Sequence, residues 1–271
     1  MGHFGCMLGR PSIQRYLIMI KLSKNPLVRI ISREVSKKPA KETPQRLREF
    51  MKPLKEITRQ LVIGTGLGDG YLRKERGKTQ LLLAHTEEKK DYLWWKWKIL
   101  ADDNLVSSKP YRILIKFQNK KYPQWRCQTI WNDRLNELYY CLYSNGIKAV
   151  KRSTLNMLTP LGLAVWYMDD GNVAIHKEKG KEGCKSREIY LNTHCFSYQE
   201  LLVIQKYFNE RWKIKIGFVK NKGKLRIRMG AIQAKKLLKI VKPYILKCME
   251  YKTNLGYKSS RNAELPFWKV I

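Results

Sequence analysis

A chain of 271 residues with 44% hydrophobic residues can bury a core, and its eight Trp, fifteen Tyr and seven Phe exclude a wholly disordered basic tail. With 55 Lys and Arg against 22 Asp and Glu the formal net charge is +33, far beyond what solubility requires, so the expected partner is a polyanion, with nucleic acid foremost. No apolar run approaches the roughly 20 residues of a membrane span, and six scattered cysteines without a C-x-x-C pair exclude zinc ribbons, zinc fingers and a dense disulfide framework.

Residues 1–55 read as a basic extension that holds half of the chain's ten prolines (Pro11, Pro26, Pro39, Pro44, Pro53) and is a poor core former. Its short basic amphipathic stretch, residues 13–24, is compatible with an organellar transit peptide. From about residue 56 one order of elements is written twice, over 56–147 and 148–271. Each half opens with a helix-like apolar stretch ending in Asp-Gly, residues 61–70 and 161–171. A basic strand region follows (71–86, with Arg73, and 173–193), then an aromatic-rich helix (89–100 and 198–212). A second strand pair (111–131 and 213–229) and a closing helix (133–143 and 231–251) complete each half.

The strands alternate with a period of two. Ile113, Ile115 and Phe117 share one side of their strand, and Arg112, Lys116 and Gln118 the other; Gln124, Arg126 and Gln128 repeat the spacing. In the second half Leu225, Ile227 and Met229 alternate with Lys224, Arg226 and Arg228, after an Asn221-Lys222-Gly223-Lys224 hairpin turn. A half-buried sheet with an Arg/Lys/Gln face suits a DNA groove, because Arg and Gln pair bidentately with guanine and adenine edges. The residues expected to meet DNA are therefore Arg73, Arg112, Lys116, Gln118, Gln124, Arg126, Gln128, Lys224, Arg226 and Arg228.

Gly64-Thr65-Gly66-Leu67-Gly68-Asp69-Gly70 is not a dinucleotide loop, because Asp69 or Tyr71 stands where G-x-G-x-x-G needs its last glycine; no Gly-Lys-Ser/Thr follows to make a phosphate loop. Gly64 and Gly68, four apart, instead share one helix face and allow a close neighbour. The matching stretch, Leu163 through Asp169-Asp170-Gly171, is bulky where the first is small. Packed as helices, the two would bring Asp69 and Asp170 together at C-terminal ends, where the helix dipole is also negative. A divalent cation such as Mg²⁺ offsets that repulsion and supports phosphodiester hydrolysis.

The second stretch in full, Leu158-Thr159-Pro160-Leu161-Gly162-Leu163-Ala164-Val165-Trp166-Tyr167-Met168-Asp169-Asp170-Gly171, stands with Leu191-Asn192-Thr193 and Lys242-Pro243-Tyr244. Together they resemble the single-chain, double-motif LAGLIDADG homing endonucleases, in particular the yeast mitochondrial omega-intron subgroup. The resemblance covers about residues 56–257. It implies an α+β fold of two pseudo-twofold related αββαββα halves, whose antiparallel sheets form a DNA-binding saddle. It implies that the penultimate acids of the two nine-residue motifs, Asp69 and Asp170, are catalytic and bind Mg²⁺ or Mn²⁺. Lys148 and Lys252 match the basic residues near the scissile phosphates, and Asp169 reads as structural. The first motif departs from the family pattern in its glycine content.

The activity so implied is cleavage of both strands of a long nonpalindromic duplex by a monomer, leaving short 3′ overhangs. A second reading is an RNA-binding maturase acting on its group I intron, and a third an organellar RNA-processing or ribosome-associated factor. The expected location is an organelle, mitochondrion or chloroplast.

Overall fold

The computed structural model describes residues 53–255 apart from 118 and 178–184. Residues 1–52, with the amphipathic stretch, and Gln118 lie outside the described residues. The repeated order holds. The first half runs α1 (Glu56–Leu67), β1 (Tyr71–Glu75), β2 (Lys78–Thr86), α2 (Lys90–Ala101), β3 (Tyr111–Phe117), β4 (Lys120–Gln128) and α3 (Asn136–Leu142). A small hairpin, β5 (Tyr143–Ser144) and β6 (Ile147–Lys148), and a short helix α4 (Arg152–Asn156) lead on. The second half runs α5 (Pro160–Asp170), β7 (Gly171–Lys177), β8 (Lys185–Leu191), α6 (Tyr198–Trp212), β9 (Gly217–Asn221), β10 (Lys224–Met229) and α7 (Ala231–Val241). The two four-stranded antiparallel sheets have the same order, β1-β2-β4-β3 and β7-β8-β10-β9.

Local chemistry sets these elements. Pro160 occupies the first turn of α5, where a missing N–H costs nothing. Ser197 and Glu200 close a capping box at the start of α6. Three hairpins turn on adjacent positive-φ residues, Arg76-Gly77, Asn145-Gly146 and Lys222-Gly223, the geometry that matches strand twist. From Leu161 to Asp169 every residue of α5 is buried, and α1 is buried throughout from Gln60 to Leu67. Helices apolar all round belong in an interior, and these two pack against one another at the centre of the core.

Three expected boundaries move. The closing helix over 231–251 breaks after Val241 into 3₁₀ turns, Lys242–Tyr244 and Lys247–Thr253, because Pro243 lacks the N–H a continuing helix needs. The closing helix of the first half starts as a 3₁₀ turn, Asp133–Leu135, whose Arg134 N–H donates to the Asn132 side chain. Finally, α1 stops at Leu67: the Gly68 backbone leaves the helical region, and Gly70 N–H closes on Thr65 O at 2.8 Å. Asp69 thus sits in a turn beyond its helix, whereas Asp170 is the last residue of α5.

Candidate active site and nucleic-acid face

Small residues let α1 and α5 touch. A side-chain carbon added to Gly64 would lie 2.4 Å from Gly162 O and 2.8 Å from Val165 Cβ; one on Gly68 would lie 2.6 Å from Asp169 Cβ. The hollow-and-knob packing read from the sequence is the packing found. Gln60 ties the helices further: its Nε2 donates to Met157 O at 2.8 Å and its Oε1 accepts from Thr159 N at 2.9 Å, at the start of α5.

This junction brings the motif acids together. Asp170 is half-buried, and its carboxyl is pushed up to about 8, first by burial and then by the charges of Asp69 and Asp169, with Lys148 pulling the other way. The Asp69 carboxyl is also raised, by partial burial and by Asp169, against the opposing pull of Lys96, Lys89 and Lys252. Each motif end carries its own lysine. Lys148 Nζ donates to Gly68 O at 2.7 Å and Gly70 O at 3.1 Å, on either side of Asp69. Lys252 Nζ donates to Met168 O and, at 3.1 Å, to Asp169 O. Cations on terminal helix carbonyls offset the dipole that the acids aggravate. Burial, then the neighbouring Lys89 charge, lowers the Lys252 ammonium to about 8.

The donor set defines which metal would fit. Among the described residues no group of three or more His, Cys, Asp or Glu side chains is placed to hold an ion, which disfavours a zinc cage. Two carboxylates, both raised and one of them by the other, suit Mg²⁺ or Mn²⁺, which take one or two carboxylates and complete their shell with water and phosphate.

Asp169, read as structural, is 5% exposed, and its carboxylate takes Lys96 Nζ at 2.7 and 3.1 Å in a wholly buried ion pair. Sequence reasoning missed Lys96. Its signal was a charge in a helix at the core spacing set by Leu93 and Ile99, a position that requires a buried partner.

The sheets each have a helix-covered face and an open one. In the first, Leu72, Leu81, Leu83, His85 and Cys127 are buried, with the His85 ring 5.1 Å from that of Tyr92 on α2. Cross-strand pairing puts Arg73 with Gln80, Ala84 with Arg126, Thr86 with Gln124, and Leu82 with Gln128 on the opposite, open face. Arg112 and Lys116 do not join them. Arg112 pairs with Trp125 and Lys116 with Lys121, on the helix-covered side, where Arg112 Nε donates to Glu87 Oε2 at 2.8 Å. Ile113 and Ile115 take the open side instead. Alternation along a strand fixes which residues share its face, but register decides which face meets the neighbour. In the second sheet Lys224, Arg226 and Arg228 do share the open face, with Asn172 and Tyr190, while Ile227 and Met229 are buried.

The family model described as the LAGLIDADG DNA endonuclease family matches residues 59–237. The chain belongs to that family. Among the relatives of this chain is a probable intron-encoded endonuclease 1 of Wickerhamomyces canadensis, 28% identical over 203 residues, or 73% of this chain and 84% of that protein. Another is the cytochrome b mRNA maturase bI2 of Saccharomyces cerevisiae, 28% identical over 214 residues, 74% of this chain but 48% of the maturase. The fold matches that of the homing endonuclease I-WcaI bound to its DNA recognition sequence, with a TM-score of 0.69 at 24% identity, over 81% of this chain and 96% of that one.

Proposed function

We propose that this LAGLIDADG protein is an intron-encoded homing endonuclease of organellar origin that cuts both strands of a long nonpalindromic DNA site with Mg²⁺ or Mn²⁺. The observation that carries the reading is the meeting of Asp69 and Asp170 at the abutting ends of α1 and α5, each flanked by a lysine on the neighbouring carbonyls. Asp69 and Asp170 would hold the metal, which when bound would polarise the scissile phosphate and activate water. Lys148 and Lys252 already face the motif ends and hold positive charge where the cleaved phosphate becomes more negative. The open sheet faces supply the grip: Arg73, Gln124, Arg126 and Gln128 in one half, Lys224, Arg226 and Arg228 in the other. Both centres lie in one chain, so the working species is a monomer.

A second reading, a maturase for the host group I intron RNA, is favoured by the likeness to the yeast cytochrome b mRNA maturase bI2, of which this chain spans about half. Cleavage of a randomised duplex library with Mg²⁺, beside EDTA, Asp69→Asn and Asp170→Asn controls, tests the first reading. Asp170→Asn should retain DNA binding and lose cleavage by two or more orders of magnitude. Cleavage that survives in this variant refutes the assignment; tight binding of structured RNA with no duplex cleavage favours the maturase.

A further inference from the structure

Two arginines on the open faces are held by buried acceptors. On the first sheet, Arg73 Nε and Nη2 donate to Gln80 Oε1 at 2.9 and 2.6 Å. Gln80 is only 4% exposed, and its Nε2 donates to Thr129 O at 2.6 Å, which fixes the amide so that its oxygen must face Arg73. The Arg73 guanidinium also lies over the Trp131 ring, 4.8 Å from its centre. On the second sheet, Arg228 Nη2 donates to Glu188 Oε1, and the other oxygen of that carboxylate takes the Tyr190 hydroxyl. The Glu188 side chain is 7% exposed and that of Arg228 49%, so the anion lies beneath the face and the guanidinium emerges from it. Arg226 stacks on the same Tyr190 ring at 3.8 Å.

A carboxylate beneath a face that meets a polyanion works against general affinity. It cancels one of the positive charges that make phosphate contacts, and burying it unpaired would be costly. What it does supply is direction. A free arginine loses rotamer freedom when it pairs with a base, whereas one already anchored through part of its fork loses less and presents its remaining N–H groups along one line. The base edge with two acceptors side by side is guanine O6 and N7. Arg112 gives the contrast: its partner Glu87 has a side chain 35% exposed at the sheet edge, an ordinary surface pair.

Building on the DNA-cleaving reading, we propose that Gln80 and Glu188 are positioning residues that hold Arg73 and Arg228 as fixed guanine readers, one in each half of the DNA site.

The test begins with sites selected by the full chain from randomised duplexes. The expected result is one strongly preferred guanine in each half, and replacing either with 7-deazaguanine, which lacks the N7 acceptor, should weaken binding about tenfold or more. Glu188→Ala should relax the guanine preference at a single position by a similar factor and leave the other positions unchanged. Glu188→Gln, which keeps an acceptor, should preserve it; Gln80→Leu should relax the position in the other half. Should Glu188→Ala fail to fold, Arg228→Met must relax that same position. A selected site without these guanines, indifference to 7-deazaguanine, or a Glu188→Ala loss spread evenly over all positions overturns the proposal while leaving the endonuclease reading intact. If no duplex is selected at all, both fall.

Discussion

Lys96 fills a helix position flanked by Leu93, Ile99 and Leu100, and its ammonium rests between the Asp169 carboxylate and the face of Tyr92, 4.3 Å from the ring centre. Lys96→Met would strand the Asp169 charge in the interior, so the expected loss is about 3–5 kcal/mol. Lys96→Met combined with Asp169→Asn removes both charges at similar volume and should recover most of that loss. Urea unfolding of the two variants checks this, and equal destabilisation of single and double variants would sink it. Asp170 offers a second test at the same scale. Its folded value is about 8 against an unfolded value near 3.9, so between those limits the folded chain binds a proton that the unfolded chain has released. Its contribution to stability in EDTA should therefore fall as pH rises from about 4 to 8, whereas His85, which burial pushes down to about 2, contributes a rise up to about pH 6.5. Asp170→Asn should remove the carboxyl's contribution and melt at least about 3 °C above the parent at pH 8.5. Adding Mg²⁺ should narrow the gap by stabilising the ionised parent. A gap between parent and Asp170→Asn melting points in EDTA that is the same at pH 5 and pH 8.5 would contradict the burial of this carboxyl.

The α1–α5 contact is the element on which the proposed site depends, and at Gly64 it brings backbone against backbone. Alanine normally gains up to about 1 kcal/mol over glycine inside a helix. Here the added carbon meets a backbone oxygen at 2.4 Å, which cannot rotate away, so Gly64→Ala should still destabilise by about 1–3 kcal/mol and separate the motif acids. Gly217→Ala, with open space around it and no positive φ, is the control and should change stability little. Thermal melts and single-turnover cleavage of both variants measure the two effects; a Gly64→Ala chain as stable and as active as its parent would refute the packing argument. This contact was legible in the sequence because Gly64 and Gly68 are spaced for one helix face and Val165 and Asp169 are bulky opposite them. The repeated order of elements was legible for a similar reason, since periodicity and Asp-Gly stops are local signals. What was not legible is set between elements. The partner of Lys96 comes from α5, far away in the chain, and the side of the sheet taken by Arg112 follows from its pairing with Trp125 rather than from its own strand. Pro243 did carry a local signal, and it ends α7 where the helix was expected to continue.

At the scale of the whole molecule, a net charge of +33 and two basic open faces in one chain separate how tightly DNA is held from how it is read. Phosphate contacts release counterions, so affinity for any duplex should drop steeply with salt, by about 10³-fold or more between 50 and 200 mM if six to ten phosphates are engaged. The excess of a cognate over a random duplex depends on base edges such as those facing Arg73 and Arg228, and should change far less over the same range. Arg126 helps to sort the two contributions. It lies on the open face with its Nε donating to Gln124 Oε1 at 2.8 Å, an exposed pairing rather than a buried clamp. Arg126→Gln should therefore weaken cognate and random duplex alike and reduce the salt slope by about one. Because Asp69 and Asp170 meet within a single chain, the complex measured alongside by sedimentation should contain one chain per duplex. Two chains per duplex would mean that one α1–α5 junction is insufficient for a site. A salt response that is flat for random DNA would mean that the open faces are not where the charge is used.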